Sequence, residues 1–395
     1  MIGFSLTVER VRAGVWLLAL VLLLAPGISR AQEAWLVTYG PGAEVWELFG
    51  HNALWLRDPA TGLDHTYSFG YFEIDRPGFH LDFARGIMLY YGAASPAERE
   101  FAFYRARGRS IQVQRLNLSA TQVAELHRSL HQAIHPHPQY YAYDYFRANC
   151  STWLRDLIDQ RVDGRVSDVL REQPARLNFR DHVRRMTFDR PWIQTGILML
   201  MGPSIDQSIS AWDETFLPEA LASWLEVVEV QGRPLVAERQ MLHDPGNFEP
   251  PSQPRGPWLM MLAFGLAAAA GLLWAGRRDQ GWARWPGRVL IFAAGLAGAL
   301  LLLMWFGSGH PDTAANLLVL LLNPLWWLLL LPLGVRWRRL VLLALAGGLL
   351  VGSVILAWPG LWQDRPDQLA LLLPPLLVLL LQAGRPPTPT AAARS

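Results

Sequence analysis

Between Gln32 and Gln139 apolar and polar residues alternate over four short runs, Ala34–Tyr39, Glu47–Arg57, Asp64–Tyr71 and Ser110–Leu118, separated by Gly, Pro and Asp. A period of two predicts half-buried strands, and the turn Arg57–Leu63 joins the middle pair as a hairpin. The period then lengthens: behind Ser119 as N-cap, Val123, Leu126, Leu130 and Ile134 recur at helical spacing up to Ile134. A second helix is expected over Cys150–Gln160, entered through Asn149 or Ser151, with Trp153, Leu154, Leu157 and Ile158 as its buried face. Beyond Arg255 the pattern becomes five uncharged apolar runs at 256–276, 289–309, 313–335, 340–363 and 368–384. Each approaches the ~20 residues that cross a bilayer.

The chain therefore divides into an α+β domain and an all-α five-helix transmembrane bundle. Residues 1–31 carry Arg10 and Arg12, an uncharged run and Ser29-Arg30-Ala31, the pattern of a signal peptide or N-terminal anchor. Residues 32–248 have globular composition, 249–257 form a Pro-rich linker, 258–384 the bundle and 385–395 a tail. Arg277, Arg278, Arg284 and Arg288 separate the first two runs, and Arg336, Arg338 and Arg339 the third and fourth, so those loops are expected in the cytoplasm. The alternate loops, His310–Asp312 and Asp364–Asp367, then lie outside with the α+β domain, and the C-terminus lies inside.

Composition narrows the function classes. With 395 residues, 51% hydrophobic and 17% charged, and a net charge of +2, the chain is too apolar for disorder and too balanced for nucleic-acid binding. One cysteine, Cys150, excludes an intrachain disulfide, a cysteine-based zinc site and an iron–sulfur cluster. A lone cysteine is often a small buried apolar side chain. At the first turn of a helix, however, it meets unpaired N–H groups and the positive end of the dipole, which favour a reactive thiolate.

A thiol nucleophile needs a base, and His51 opens the second strand after a turn of small residues. If hairpin partners sum to about 118–120, His51, Ala53 and Trp55 share a face with His65, Tyr67 and Phe69. His65 or Tyr67 then orients the imidazole, whereas a slip of one residue substitutes Asp64 or Ser68.

The order of His on a hairpin, then Asn-Cys at a helix start, resembles the circularly permuted papain-like fold of the lecithin–retinol acyltransferase and permuted NlpC/P60 families. More specifically, Phe49-Gly-His51-Asn-Ala-Leu54, Tyr67-Ser-Phe-Gly70-Tyr-Phe72, Pro77-Gly-Phe79, Phe83-Ala-Arg-Gly86 and Asn149-Cys150-Ser-Thr-Trp-Leu-Arg155-Asp156 resemble the Lnb family, as does the run from Gly202 to Pro218. The likeness covers roughly 35–225, and more thinly His310–Asn316 and Asn323-Pro324; Glu73 and Gly78 stand where the family pattern has Asp and Asn. These are bacterial membrane proteins with a periplasmic N-terminal domain, and their founding activity is lipoprotein N-acylation. The resemblance implies ping-pong acyl transfer without a cofactor. Cys150 would take an acyl chain from a phospholipid donor as a thioester, and His51 would move protons toward a lipoprotein or other amine acceptor.

Other features carry weaker expectations. His127, His131, His135 and His137 form a possible metal-ligand face, but no carboxylate completes it and a solvated face is preferred. Gly196–Gly202 is too short to span and is expected in a core or against an acyl chain; Tyr140–Phe146 is expected to line an acyl pocket or to pack as a strand. Asn149, Asp206, His310 and Asn316 are candidate substrate-binding residues, the last two because polar groups at membrane depth usually face the bundle interior. Two rival readings remain: a lipid or peptidoglycan hydrolase using the same Cys/His pair, and a non-catalytic membrane scaffold.

Overall fold

The computed structural model describes residues 32–246, 249–278, 285–357 and 365–384. The expected signal or anchor (1–31) and the tail (385–395) lie outside the described residues. The first domain is built on strands β1 (Glu33–Tyr39), β2 (His51–Asp58), β3 (Leu63–Tyr71), β4 (Leu89–Pro96), β5 (Ile111–Leu116), β6 (Tyr141–Ala142) and β7 (Val236–His243), wholly antiparallel in the order β6-β4-β3-β2-β1-β5-β7. Helix α1 (Phe79–Arg85) lies between β3 and β4, α2 (Ala97–Ala106) follows β4, and α3 (Ala120–Ile134) and α4 (Cys150–Arg161) complete the layers.

Alternation assigns each strand residue to one of two cores. Trp35, Val37, Tyr39, Ala53, Ile111 and Val113 meet Phe101 of α2 on one face. Leu36, Leu54, Leu56 and Tyr67 meet Leu126 and Leu130 of α3 and Leu154 and Ile158 of α4 on the other. Helix α3 begins as expected, with a Ser119–Gln122 capping box.

The hairpin register departs from the expected one. Ala53 pairs with Ser68, Leu54 with Tyr67, Trp55 with Thr66 and Leu56 with His65. This single-residue shift moves every β3 side chain to the other face relative to His51. Ser68, Thr66 and Asp64 share its face, and Tyr67 and His65 do not.

Among the described residues, four helices are long and apolar enough to cross a membrane: α7 (Trp258–Gly276), α8 (Trp285–Phe306), α9 (Val335–Ala357) and α10 (Pro366–Ala383). Two shorter helices of the first domain, α5 (Phe179–Met186) and α6 (Pro191–Leu200), precede them. The expected third span, 313–335, is not one helix. It is broken into turns at Pro311–Thr313, Leu317–Leu320 and Leu325–Leu328, with Asn316 and Asn323 accepting from the backbone N–H groups of Leu318 and Leu325. Prolines 311, 324 and 332 remove the donors that a continuous helix needs, and Asn caps take over locally. The segment still runs beside α8 in the opposite direction: the Thr313 hydroxyl donates to Met304 O (3.0 Å), and Trp327 Nε1 donates to Phe292 O (2.9 Å). Broken backbone at such depth is tolerated because it is buried in protein.

Helix α6, the expected short apolar stretch, is the joint between the two parts. Leu198 is fully buried in the first domain, while Met199 and Leu200 pack on the bundle core. The carbonyls at its C-terminus are satisfied from the bundle: Asn316 donates to Met199 O (2.8 Å), and Arg365 donates to Leu198 O (2.6 Å) and to Met201 O. The Pro-rich stretch is likewise held, Arg185 donating to Pro251 O and Gln194 to Arg255 O. Arg338 donates to Ala383 O and Gln382 to Leu272 O at the opposite end of the bundle, where Arg277 and Arg278 follow α7 and Arg336, Arg338 and Arg339 begin α9.

Candidate active site

The helix carrying the thiol starts at an unusually well-tied residue. The Asn149 side chain accepts from the N–H groups of Ser151 (2.9 Å) and Thr152 (3.0 Å). It also donates to Tyr145 O and Phe216 O, both at 2.9 Å. It is 4% exposed, so this is a buried N-cap that fixes both the helix and the loop before it. Two residues on, the Ser151 hydroxyl donates to Asn52 Oδ1 (2.8 Å), and Asn52 in turn donates to Thr38 Oγ1 and Val37 O. This chain ties the start of α4 to the start of β2.

Cys150 therefore sits beside the first residues of β2. The Asn52 backbone N–H donates toward its sulfur, as do those of Ser151 and Cys150 itself, and each favours the thiolate. Burial of the sulfur outweighs them and pushes the thiol above its ordinary value. The expected low-pKa thiolate is thus not the resting state. Gly70 lies beside it, at a φ of +108° that favours glycine, and a Cβ on it would meet that of Cys150 at 3.9 Å, an ordinary contact.

His51 opens β2 on the other face of the sheet. Its ring stacks near Tyr39 (6.1 Å between centroids) and Tyr104 (6.4 Å). Desolvation, followed by the positive charge of Arg109, lowers its pKa to about 3. Tyr104 and Arg109 also lie within electrostatic reach of Cys150, so imidazole and thiol share neighbours. Among the described residues they are not hydrogen-bonded to each other. Both are neutral at rest, which fits a base that takes the thiol proton during attack better than a preformed ion pair.

The proposed orienting residues are elsewhere. Tyr67 is buried in the α3/α4 core, edge-on to His127 at 6.0 Å, and the buried Nδ1 of His65 has no hydrogen-bond partner among the described residues. The register shift that turned them away brings Ser68 to the His51 face, where its hydroxyl donates to Glu100 (3.0 Å), as do those of Thr66 (2.7 Å) and Tyr39 (2.8 Å). The stack of Tyr39 and Tyr104 (3.5 Å), held by Glu100 and Arg109, is what the imidazole rests against. Sequence reasoning missed this group because Tyr39 ends β1 whereas Glu100, Tyr104 and Arg109 lie on α2 and the turn after it, about sixty residues on, with no motif among them.

The remaining candidates each make polar contacts within the protein. Asp206 is paired with the buried Arg180 (2.5 and 2.9 Å). His310 is 6% exposed, and its Nε2–H donates to Phe83 O (2.7 Å). Asn316 is fully buried, holding Met199 O. The histidines of α3 form a ladder of ring contacts, and among the described residues no group of three or more His, Cys, Asp or Glu is arranged to hold a metal ion.

A contact not foreseen from the sequence joins the bundle to the turn before Cys150. Arg147 makes a bidentate pair with Asp312 (2.7 and 3.0 Å), which also accepts from the Ser204 hydroxyl (2.7 Å). Gly202 N donates to Asp312 O (2.5 Å), and a Cβ on Gly202 would overlap Ala314 O.

Comparison with known families reproduces this division. The model of the Lnb N-terminal periplasmic domain matches residues 28–184, and that of the Lnb transmembrane domain matches 251–383. The chain belongs to the Lnb family. It is accordingly a membrane protein with a periplasmic N-terminal part, and both His51 and Cys150 fall within the matched Lnb N-terminal domain. The joint helix α6 and Asp206 lie between the two matched Lnb regions, whereas Arg147 and Asp312 lie one in each. The chain matches no curated protein and no solved structure.

Proposed function

We propose that this Lnb-family protein is a cysteine-dependent acyltransferase of the bacterial inner membrane. The observation that carries the reading is the thiol of Cys150, held at a capped helix start against the Asn52 N–H, with the neutral imidazole of His51 one residue before Asn52 and sharing Tyr104 and Arg109 as neighbours. His51 takes the thiol proton as sulfur attacks the ester carbonyl of a phospholipid. The resulting oxyanion forms beside the N–H groups already aimed at the sulfur. Collapse breaks the C–O bond, and the lysophospholipid leaves with the proton from the imidazolium. The amine of an acceptor, in this reading the N-terminus of a lipoprotein, then attacks the thioester. It loses a proton to His51, which returns it to the departing thiolate. No cofactor enters the scheme.

The arginine-rich end of the bundle supports a cytoplasmic C-terminus, with the thiol domain at the opposite end beside the outer leaflet. A peptidoglycan hydrolase has no use for such an anchor, so a lipid substrate is favoured.

Purified protein supplied with phospholipid in detergent is expected to show, by intact mass, a hydroxylamine-labile acyl adduct on Cys150. It should be absent in Cys150→Ser and His51→Ala. Wild-type protein that stays unmodified, with Cys150 alkylated like any free thiol, would favour the scaffold reading. An adduct discharged to water but never to an amine would favour the hydrolase.

A further inference from the structure

Helix α1 is fixed at the level where a span ends. Its last carbonyls, on Phe83, Ala84 and Arg85, accept from His310 Nε2 (2.7 Å), Ser308 Oγ (3.1 Å) and Gly309 N (2.7 Å). These three donors follow within four residues of Phe306, the end of α8. The approach is close: Gly86 has φ +79°, and a Cβ there would come 2.5 Å from Gly309 C. The C-terminus of α1, closed locally by the N–H groups of Gly86 and Ile87, thus also meets donors of the bundle, and its depth is set by a helix whose final residue, Phe306, is 75% exposed on a hydrophobic span.

At that depth α1 and its flanks expose large apolar side chains. Leu81 is 55%, Ile74 50%, Ile87 47% and Phe83 39% exposed. Of the charges among them, Arg76 donates to Asp82 at 2.8 Å, while Asp75, His80 and Arg85 are exposed at the headgroup level of such an edge. An apolar edge of this kind is unfavourable in water and fits the boundary between headgroups and acyl chains. It also leads inward: ring contacts run from Phe83 to His310 (5.5 Å), to Tyr145 (6.1 Å) and to Tyr143 (5.9 Å), which lies within electrostatic reach of Cys150.

We propose that Ile74, Leu81, Phe83 and Ile87 form a lipid-inserted edge in the leaflet facing the thiol domain. Along the aromatic contacts behind it, an acyl chain of a bilayer phospholipid reaches Cys150 without crossing water. The occupant is lipid because the edge continues the surface of a membrane span. The insertion stands on geometry; the delivery route rests on the acyltransferase reading.

The single cysteine makes depth measurable. In a Cys150→Ala background, Leu81→Cys, Phe83→Cys and Ile87→Cys, and Glu98→Cys on α2 as control, are each labelled with an environment-sensitive fluorophore. The full-length protein is then placed in phosphatidylethanolamine/phosphatidylglycerol vesicles. Labels at 81, 83 and 87 are expected to be quenched several-fold more by brominated acyl chains than by aqueous iodide, and the label at 98 the reverse. Iodide quenching at 81, 83 and 87 equal to that at 98 would overturn the insertion, as would protection from both quenchers, which would assign the edge to a protein partner. In the chain retaining Cys150, Leu81→Glu/Phe83→Glu is expected to slow adduct formation from bilayer phospholipid at least tenfold while Cys150 alkylation stays within about twofold. Undiminished acylation would overturn the route. Insertion without any wild-type adduct would instead refute the acyltransferase reading and leave the edge in place.

Discussion

Asn149 is the residue on which the candidate site most depends for its shape, and two substitutions separate its functions. Asn149→Ala removes an N-cap, worth about 0.5–2 kcal/mol. It also strips Tyr145 O and Phe216 O of donors inside a side-chain site only 4% exposed, where each unsatisfied group costs about 1–3 kcal/mol. Relaxation and shared partners reduce the sum, and a loss of roughly 2–4 kcal/mol is expected. Asn149→Asp keeps the acceptor toward Ser151 and Thr152 but replaces the amide donors with a carboxylate oxygen facing two carbonyls. Its negative charge beside the thiol also opposes thiolate formation. The two variants are therefore expected to be destabilised comparably, with Asp giving the slower thiol. Thermal unfolding in detergent, followed by a thiol-reactive dye, reads stability because Cys150 is the chain's single cysteine; iodoacetamide kinetics below the transition read reactivity. An Asp variant as stable as wild type would refute the weight given to the Tyr145 and Phe216 contacts. An Asp variant that alkylates faster would refute the electrostatic argument.

The neutral imidazole gives a pH prediction. His51 titrates near 3 when folded against an ordinary 6.5, so below pH 6.5 the unfolded chain binds a proton that the folded one refuses. Stability from this group falls by about 1.4 kcal/mol per unit as pH drops from 6.5 toward 3; denaturation midpoints should fall less steeply with acid in His51→Gln. Because burial raises the Cys150 thiol, its alkylation rate should still be climbing at pH 9, and a plateau near neutrality would indicate a preformed ion pair. Asp312→Asn should cost about 1–2 kcal/mol, since Arg147 is half exposed and its pairing is partly screened. The expected readout is a lower thermal midpoint that is partly restored by Asp312→Glu. Gly202→Val should separate α6 from the 311–316 loop, because even a Cβ overlaps Ala314 O, and greater protease sensitivity near Gly202 would report it.

Strands β1, β2, β3 and β5, the two helices after Ser119 and Asn149, and most of the bundle were legible because each has a period or a cap that local chemistry enforces, whereas β4 and β7 were not read as strands and β6 only as one of two alternatives. The β2–β3 register was not legible either. Its loop, Pro59–Gly62, turns through Gly62 at φ +76°, and nothing in the flanking alternation selects a partner sum of 121 over 120. That one residue decided whether Tyr67 or Ser68 faced the His51 side. In the bundle, the run 313–335 had the length and hydropathy of a span, and its prolines and asparagines were the signal that it is broken. The pairing of Arg147 with Asp312 joins residues 165 positions apart, and no local pattern reports such a contact.

The clamp of Arg365 and Asn316 on the α6 carbonyls has a consequence for any attempt to divide this protein. Excision of the bundle would uncover Leu198 O, Met199 O and Met201 O at the end of an apolar helix, leave Arg147 without its carboxylate, and free the carbonyls of Phe83 to Arg85. The thiol domain is thus no detachable head on a stalk. Its height and tilt are inherited from the bundle, so under the proposed acyltransferase reading Cys150 is a stationary point and it is the substrates that must travel to it.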